Sequence, residues 1–129
     1  MVSLWNPAVM AVLRVVVPDV DETVAAYAAA GYEVAQRWGP PFAILSGPGP
    51  ELWVSGPGTS AARTTDALDE PLRPAAAVRQ VLEVDDVATT VDALLAAGWE
   101  PAGEAQRGPG GTQQLLHRGP VVVEIFSLG

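Results

Sequence analysis

Two apolar runs of strand length divide the chain into similar halves. They are residues 11–17 (AVLRVVV) and 78–84 (VRQVLEV), and both are rich in the branched apolar residues that favour strands. After each run, apolar residues recur at the spacing that places them on one face of a helix. These residues are Val20, Val24 and Tyr27 in the first half and Val87, Val91 and Leu94 in the second. Each half is therefore predicted to begin with a strand followed by an amphipathic helix.

Polar and glycine residues mark the ends of both predicted helices. Asp19 and Asp86 follow the strands and can cap the first helical turns, and Asp19 with Glu22 has the spacing of a capping box. Gly31 and Gly98 stand where each helical pattern ends, a place that favours a left-handed residue. We expect the two helices to lie between these positions.

Short extended segments separated by Gly and Pro follow each helix. They are residues 32–38, 42–45 and 52–55 in the first half and residues 99–105, 112–117 and 121–126 in the second. Each module therefore has the predicted order β-α-β-β-β. The modules span residues 8–56 and 78–129 of one domain, and residues 57–77, rich in Gly, Ser, Thr, Pro and Ala, form a connector.

The two halves are also related by an internal repeat. Residues 17–35 and 84–102 align without a gap at an offset of 67 positions, and 11 of the 19 pairs are identical. A repeat of half the chain length indicates two equivalent modules packed on each other. The predicted fold class is α+β with the two modules forming one cupped sheet, and a ligand site is expected between the halves.

Composition narrows the class of protein. Half of the residues are apolar, cysteine is absent, and no apolar stretch is long enough to span a membrane. The net charge is −8, with seven arginines, no lysine and fifteen carboxylates. Nucleic-acid binding and Schiff-base chemistry are therefore not expected. We expect a cytoplasmic protein without cofactor or membrane partner, whose acidity either favours neutral or cationic small molecules or serves solubility alone.

The motifs VVVPDVDETVAAY…AGYEV and VLEVDDVATTV…AAGWEP resemble those of the vicinal oxygen chelate superfamily. This superfamily includes glyoxalase I, extradiol dioxygenases and bleomycin-resistance proteins, and the resemblance covers nearly the whole chain. It implies two β-α-β-β-β modules that line a cup. It also implies a homodimer with sites at the interface.

The resemblance further implies where a metal ion would be held. Metal-dependent members supply His, Gln or Glu from the first and last strand of each module. The corresponding residues here are Val12, Arg79, Val54 (or Glu51 if the alignment shifts) and Glu124. Only Glu124 is a competent ligand, and a divalent ion needs about three. A metal site is therefore not expected.

Arg79 and Glu124 are predicted to form a cross-strand ion pair in place of the metal. The alternative is that Arg79 reaches solvent. His117, the one histidine, would need a carboxylate partner such as Glu124 to act as a base. It is otherwise expected to line the pocket or to sit at a strand end.

Four tryptophans concentrate the large aromatic rings at a few places. Trp99 is expected in the core and Trp5 on an N-terminal arm. Trp38 and Trp53 are candidates for a clamp on a flat ligand, beside Phe42.

The leading hypothesis is a metal-free antibiotic-binding protein, similar to the bleomycin-resistance branch. It would sequester a flat aromatic or quinone-type drug of the bleomycin, mitomycin or anthraquinone-fused enediyne class without turnover. The alternatives are an enzyme of the same fold, a lyase, isomerase or dioxygenase using Glu124 with or without a divalent metal, and a module that binds a metabolite such as a flavin. The predicted ligand-binding residues are Trp38, Phe42, Trp53, Arg79, Gln113, Leu115, His117 and Glu124.

Overall fold

A single mixed sheet organises residues 11–128, the part of the chain that this computed structural model describes. Within that range the sheet has nine strands, and four helices pack on it. The strands are β1 (Val12–Val16), β2 (Glu33–Trp38), β3 (Phe42–Ser46), β4 (Glu51–Ser55), β5 (Val78–Glu83), β6 (Glu100–Pro101), β7 (Gln106–Gly108), β8 (Gly111–Arg118) and β9 (Val121–Ser127). The helices are α1 (Val20–Ala28), α2 (Ser60–Asp66), α3 (Arg73–Ala77) and α4 (Val87–Ala96).

The strand order shows the duplication directly. It is β2-β3-β4-β1-β5-β9-β8-β6, with β7 paired to β8. β1 and β5 lie side by side and antiparallel at the centre, and each pairs in parallel with the last strand of its own module, β4 or β9. The predicted α+β class and the β-α-β-β-β order of the modules are confirmed.

Helices α1 and α4 cover one face of this curved sheet. Strand residues alternate between faces, so every second residue of β4 and β9 packs under a helix. The first helix-side core contains Val15, Val20, Ala43, Leu45, Leu52 and Val54, and the second contains Leu116, Val123 and Ile125 with partly buried side chains from α4. The opposite face, which we call the concave face, carries the polar and aromatic residues of interest.

The helix ends are built as predicted. The Asp19 carboxylate accepts a hydrogen bond from the Glu22 amide at 3.0 Å, and Asp86 accepts one from the Ala88 amide at 3.1 Å. After the helices, Gly31 adopts a φ of 99°, in the region that glycine tolerates best.

The second strand of the second module is shorter than predicted. Residues 99–105 were expected to form one strand, but β6 contains only two residues and the chain resumes pairing at β7. Pro101 has no amide N–H to donate, and Gly103 turns the chain with a φ of 96°. The strand therefore breaks between these residues and Gln106.

The connector, residues 57–77, folds into α2 and α3 on the concave face. Thr59 caps α2 by accepting a hydrogen bond from the Ala62 amide at 3.2 Å. Leu68 and Ala76 pack with Leu115 in a buried cluster on this face. The connector therefore covers the concave face over the second module and leaves the first module's part open.

Over residues 11–128, no helix is both long and apolar enough to cross a membrane.

Candidate ligand-binding cavity

A cavity of about 590 Å³ lies between the concave face and α2. Its wall is mainly apolar, and its polar side chains are few. The aromatic lining residues are Trp38, Phe42, Trp53 and Phe126, and the polar lining includes Arg14, Ser55, Ser60, Arg63, Glu83 and Gln113. Loop residues Pro109, Gly110 and Gly111 complete one side. The cavity has the size and composition of a small-molecule site.

A buried charge cluster of three side chains lies at the inner end of the cavity. Arg14 of β1 and Arg79 of β5 are paired in register, and both reach Glu124 of β9. Arg14 donates from Nε to Oε1 at 3.2 Å and from Nη2 to Oε2 at 2.8 Å, while Arg79 donates from Nε to Oε1 at 2.8 Å. The predicted Arg79–Glu124 ion pair is confirmed. Sequence reasoning missed Arg14, and we call the three residues the ion triad.

Arg79 also ties the sheet to the connector. Its Nη1 donates to Thr65 Oγ1 at 2.9 Å and to the Ala76 carbonyl at 2.8 Å, and its Nη2 donates to Gln113 Oε1 at 3.2 Å. Gln113 in turn donates from Nε2 to Ser60 Oγ at 3.0 Å. Arg79 is only 1% exposed, so the alternative that it reaches solvent is wrong.

The two guanidiniums keep Glu124 ionised. Burial alone would raise the pKa of Glu124, but the charges and hydrogen bonds of Arg14 and Arg79 outweigh it and hold the pKa below its usual range. Burial lowers the pKa of Arg79, opposed by Glu124, and a guanidinium so paired stays protonated. The ion triad therefore carries a net positive charge at neutral pH.

Strand register identifies the true counterpart of Glu124 in the first module. In the second module, Val81 of β5 lies opposite Glu124. The residue equivalent to Val81 in the first module is Arg14, 67 positions earlier, and it lies opposite Trp53. Trp53 is therefore the counterpart of Glu124. The alignment with Val54 is therefore wrong by one residue, and Val54 points to the opposite face, where it is fully buried under α1.

The residues at the four family positions do not fit a divalent metal ion. They are Val12, Trp53, Arg79 and Glu124, and both oxygens of the one carboxylate already accept hydrogen bonds from guanidiniums. Among the described residues, no group of three or more His, Cys, Asp or Glu could hold a metal. A cation placed at Glu124 would face two arginines, so the donor set opposes it.

The aromatic residues are arranged differently from the predicted clamp. Trp38 stacks obliquely on Phe42, with ring centroids 5.4 Å apart, and is 51% exposed at the cavity mouth. Trp53 is 8% exposed, packs edge-on against Phe126 at 5.2 Å, and has the Arg14 guanidinium 5.0 Å from its ring centroid. Trp53 therefore belongs to the wall, and Trp38 with Phe42 offers the accessible aromatic surface.

Leu115 and His117 do not line the cavity, contrary to the ligand-binding prediction, but His117 does sit near the end of β8, the other place expected for it. Leu115 is fully buried beneath the connector. His117 lies further along β8, where Nε2 is 3.4 Å from Glu100 Oε2 and Nδ1 is 3.1 Å from the Gly119 carbonyl. Both residues share the face of Gln113, as the period of two along β8 requires. Leu115 is closed off from the cavity because the connector residues Leu68 and Ala76 pack on it, and His117 lies too far along the strand to reach the cavity.

The remaining predicted residues divide between lining and support. Trp38, Phe42, Trp53 and Gln113 line the cavity, whereas Arg79 and Glu124 lie behind its surface. Trp99 packs with the α4 core, as the core interpretation predicted, and Trp5 lies outside the described residues. Phe126 was missed, although it follows Glu124 by two in β9 and so shares its face.

Comparison with known proteins supports the fold. No protein-family model and no curated protein matches the chain. A NAD-dependent benzaldehyde dehydrogenase from Legionella pneumophila superimposes with a TM-score of 0.67 at 13% identity, over 92% of this chain and 99% of that one. Methylmalonyl-CoA epimerase from Mycobacterium tuberculosis gives 0.58 at 17% identity, over 100% and 93%.

A member of the glyoxalase/bleomycin resistance protein/dioxygenase superfamily from Vibrio splendidus 12B01 gives a TM-score of 0.56 at 16% identity, over 91% of this chain and 97% of that one. At such identities the likeness concerns architecture, since one fold hosts many chemistries. The chain therefore has the fold of the glyoxalase/bleomycin resistance protein/dioxygenase superfamily, that is, the vicinal oxygen chelate fold.

Proposed function

We propose that this protein binds a flat aromatic small molecule in the cavity, without a metal ion, and releases it unchanged. The ligand class is that of aromatic or quinone-type antibiotics, such as bleomycins, mitomycins and anthraquinone-fused enediynes, and the function is sequestration. The observation that carries the proposal is an aromatic-walled cavity of about 590 Å³ whose inner end holds a self-paired ion triad.

The cavity suits a planar ring system. Trp38 and Phe42 present adjoining aromatic faces, and Phe42 packs against the buried cluster that contains Trp53 and Phe126. Each stacking contact contributes about 1 kcal/mol beyond the area it buries. The volume lies within the roughly 300–1,000 Å³ typical of sites for drug-sized ligands. Several such contacts give affinity without any covalent bond to the ligand.

The groups that an enzyme would use are poorly placed for catalysis. Glu124 is 0% exposed and engaged by Arg14 and Arg79, so neither oxygen is oriented to take a proton from a molecule in the cavity. His117 lies away from the cavity, next to Glu100. The alternative of a lyase, isomerase or dioxygenase using Glu124 would require the ion triad to open.

The test is calorimetric titration with a panel of bleomycin, mitomycin C, an anthraquinone antibiotic and a flavin, followed by chromatography of the recovered ligand. We expect one of the antibiotics to bind and to be recovered unchanged. Trp38→Ala should weaken that binding about tenfold, roughly 1.4 kcal/mol. The matched control is Trp99→Phe, because Trp99 packs against α4 outside the cavity.

Three results would contradict the proposal. The first is that no antibiotic binds, and the second is that Trp99→Phe weakens binding as much as Trp38→Ala. The third is a product that accumulates with time, which would favour the enzyme alternative. Tighter binding of the flavin than of every antibiotic would favour a metabolite-binding module.

A further inference from the structure

Arg14 has hydrogen-bonding capacity that the protein does not use. A guanidinium carries five N–H groups. Three of them are engaged, with Glu124 Oε1, Glu124 Oε2 and Ser55 Oγ. The two others, one on Nη1 and one on Nη2, have no acceptor within residues 11–128. Arg14 lines the cavity and is 5% exposed, so a ligand that fills the cavity would contact its side chain.

Two serine hydroxyls belong to the polar side of the cavity. Ser55 Oγ accepts from Arg14 Nη1 at 3.1 Å, and Ser60 Oγ accepts from Gln113 Nε2 at 3.0 Å. Ser55 is 0% exposed, so its hydroxyl orients Arg14, whereas Ser60 is partly exposed in the cavity lining and donates to no atom of residues 11–128. A hydroxyl that already accepts one hydrogen bond can rotate its proton toward a second partner. The inner polar surface of the cavity therefore presents donors.

The charges of the residues around the cavity also favour binding of an anion. Two guanidiniums and one carboxylate give the ion triad a net charge of +1, and the Arg63 guanidinium of α2 lies on the same lining. Glu83 is the one carboxylate in that lining, and it is exposed, where water screens it. In a chain of net charge −8, this is a local positive site. Low polarity around it strengthens its attraction for an anion.

We infer that the ligand carries an anionic oxygen, a carboxylate or a phenolate, on its aromatic ring system, and that Arg14 binds this oxygen. The inference rests on the proposed function and narrows its ligand class to members with such an oxygen, which bleomycins and mitomycins do not carry. Two charge-assisted hydrogen bonds from the guanidinium, which Ser55 Oγ orients through Nη1, hold the oxygen against the inner end of the cavity. The rings then extend toward Trp38 and Phe42. A neutral ligand of the same shape would leave the donors without a strong acceptor.

The test compares two probes of nearly equal shape, anthraquinone-2-carboxylate and anthraquinone-2-carboxamide, by calorimetric titration at pH 7. We expect the wild type to bind the carboxylate at least about tenfold more tightly. Arg14→Gln should abolish this preference. Trp38→Ala should weaken both probes by a similar factor and leave the preference intact, because it removes stacking and no charge.

A second variant avoids the ion triad. Ser55→Ala removes the oxygen that orients Arg14 Nη1 and keeps Arg14 paired with Glu124, so it should reduce the carboxylate preference several-fold even if Arg14→Gln fails to fold. Arg63→Gln is the control for general attraction, and because Arg63 is exposed it should change the preference less than Ser55→Ala.

The outcomes separate this inference from the function on which it rests. Equal affinity for the two probes in the wild type overturns the anionic ligand and leaves aromatic binding standing. A carboxylate preference that survives both Arg14→Gln and Ser55→Ala overturns the role of Arg14. If neither this pair nor any antibiotic of the panel binds, the proposed function fails, and the inference fails with it.

Discussion

Replacing Glu124 with Gln keeps the shape of the side chain and removes its charge. In the folded protein Glu124 is 0% exposed and accepts three hydrogen bonds, two from Arg14 and one from Arg79. An amide can accept with its oxygen alone, and its nitrogen would bring N–H groups against a guanidinium. The variant therefore leaves two buried guanidiniums, adjacent in register on β1 and β5, without a counter-charge.

The expected loss follows from the two guanidiniums. Removing one partner of a buried ion pair costs about 3–5 kcal/mol, because the remaining charge stays buried without compensation. Here one substitution removes the counter-charge of two guanidiniums and leaves their mutual repulsion uncompensated, while the Gln oxygen recovers one hydrogen bond. We expect a loss of roughly 3–5 kcal/mol in the free energy of unfolding. This is a large share of the roughly 5–15 kcal/mol that stabilises a typical domain.

Urea denaturation followed by far-ultraviolet circular dichroism measures this loss. The slope of free energy against urea should stay unchanged, since the surface exposed on unfolding is the same. The control is Glu100→Gln: its carboxylate is 72% exposed and 3.4 Å from His117, so we expect a change within about 0.5 kcal/mol. If Glu124→Gln lies within about 1 kcal/mol of that control, the ion triad does not stabilise the fold and the reasoning is wrong.

Two further predictions concern pH and backbone space. The pKa of Glu124 is lower in the folded protein than in the unfolded chain, so the stabilisation from its charge is fully present above the unfolded pKa, about 4.3, and is lost as pH falls through the folded pKa. The difference in unfolding free energy between wild type and Glu124→Gln should therefore shrink below about pH 4. A difference that stays constant with pH would contradict the lowered pKa. Gly111→Ala should cost about 2 kcal/mol or more in urea denaturation, since φ is 148° and a Cβ would lie 2.1 Å from the Ser127 carbonyl oxygen. Gly110→Ala, where a Cβ meets nothing within 4 Å, is the matched control, and equal effects would contradict the steric argument.

The sequence was most informative where local rules and the repeat agree. Helix α1 begins after Asp19 and ends before Gly31, as the cap and the positive φ require. Its counterpart α4 follows the same rules 67 residues later. The superfamily's strand order, in which the first and last strands of a module are neighbours, made the Arg79–Glu124 pair predictable, and β5 and β9 do pair.

Arg14 was missed because the run 11–17 was assessed as an apolar strand, and its one polar residue was given no role. A signal was available: Arg14 lies two residues after Val12, so it shares a face with the family's metal position. Its pairing with Arg79 depends on the antiparallel register of β1 and β5, a tertiary fact that no local pattern contains. One carboxylate between two guanidiniums could have been proposed only with that register known.

Composition predicted the position of the connector in the sequence but not its helices. Its small residues predicted a connector without assigned helices, yet Thr59 caps a helix and Arg79 donates to Thr65 of that helix. This contact is non-local, and it contributes to which part of the concave face stays open. The misplacement of Leu115 has the same cause, because the connector packs on it. The expected homodimer with shared sites stays a prediction.

The two modules share one arrangement of strands and helix, and the site depends on equivalent positions at which their residues differ. In the second module, Glu124 and Arg79 satisfy each other beneath the connector, so that side of the concave face is closed. In the first, the residue equivalent to Glu124 is Trp53, which cannot neutralise Arg14. Arg14 therefore pairs with Glu124 of the second module. Two of its N–H groups have no acceptor within residues 11–128, beside the aromatic lining of the cavity. The asymmetry between the duplicated halves produces the local positive charge that, in our proposal, selects an anionic ligand.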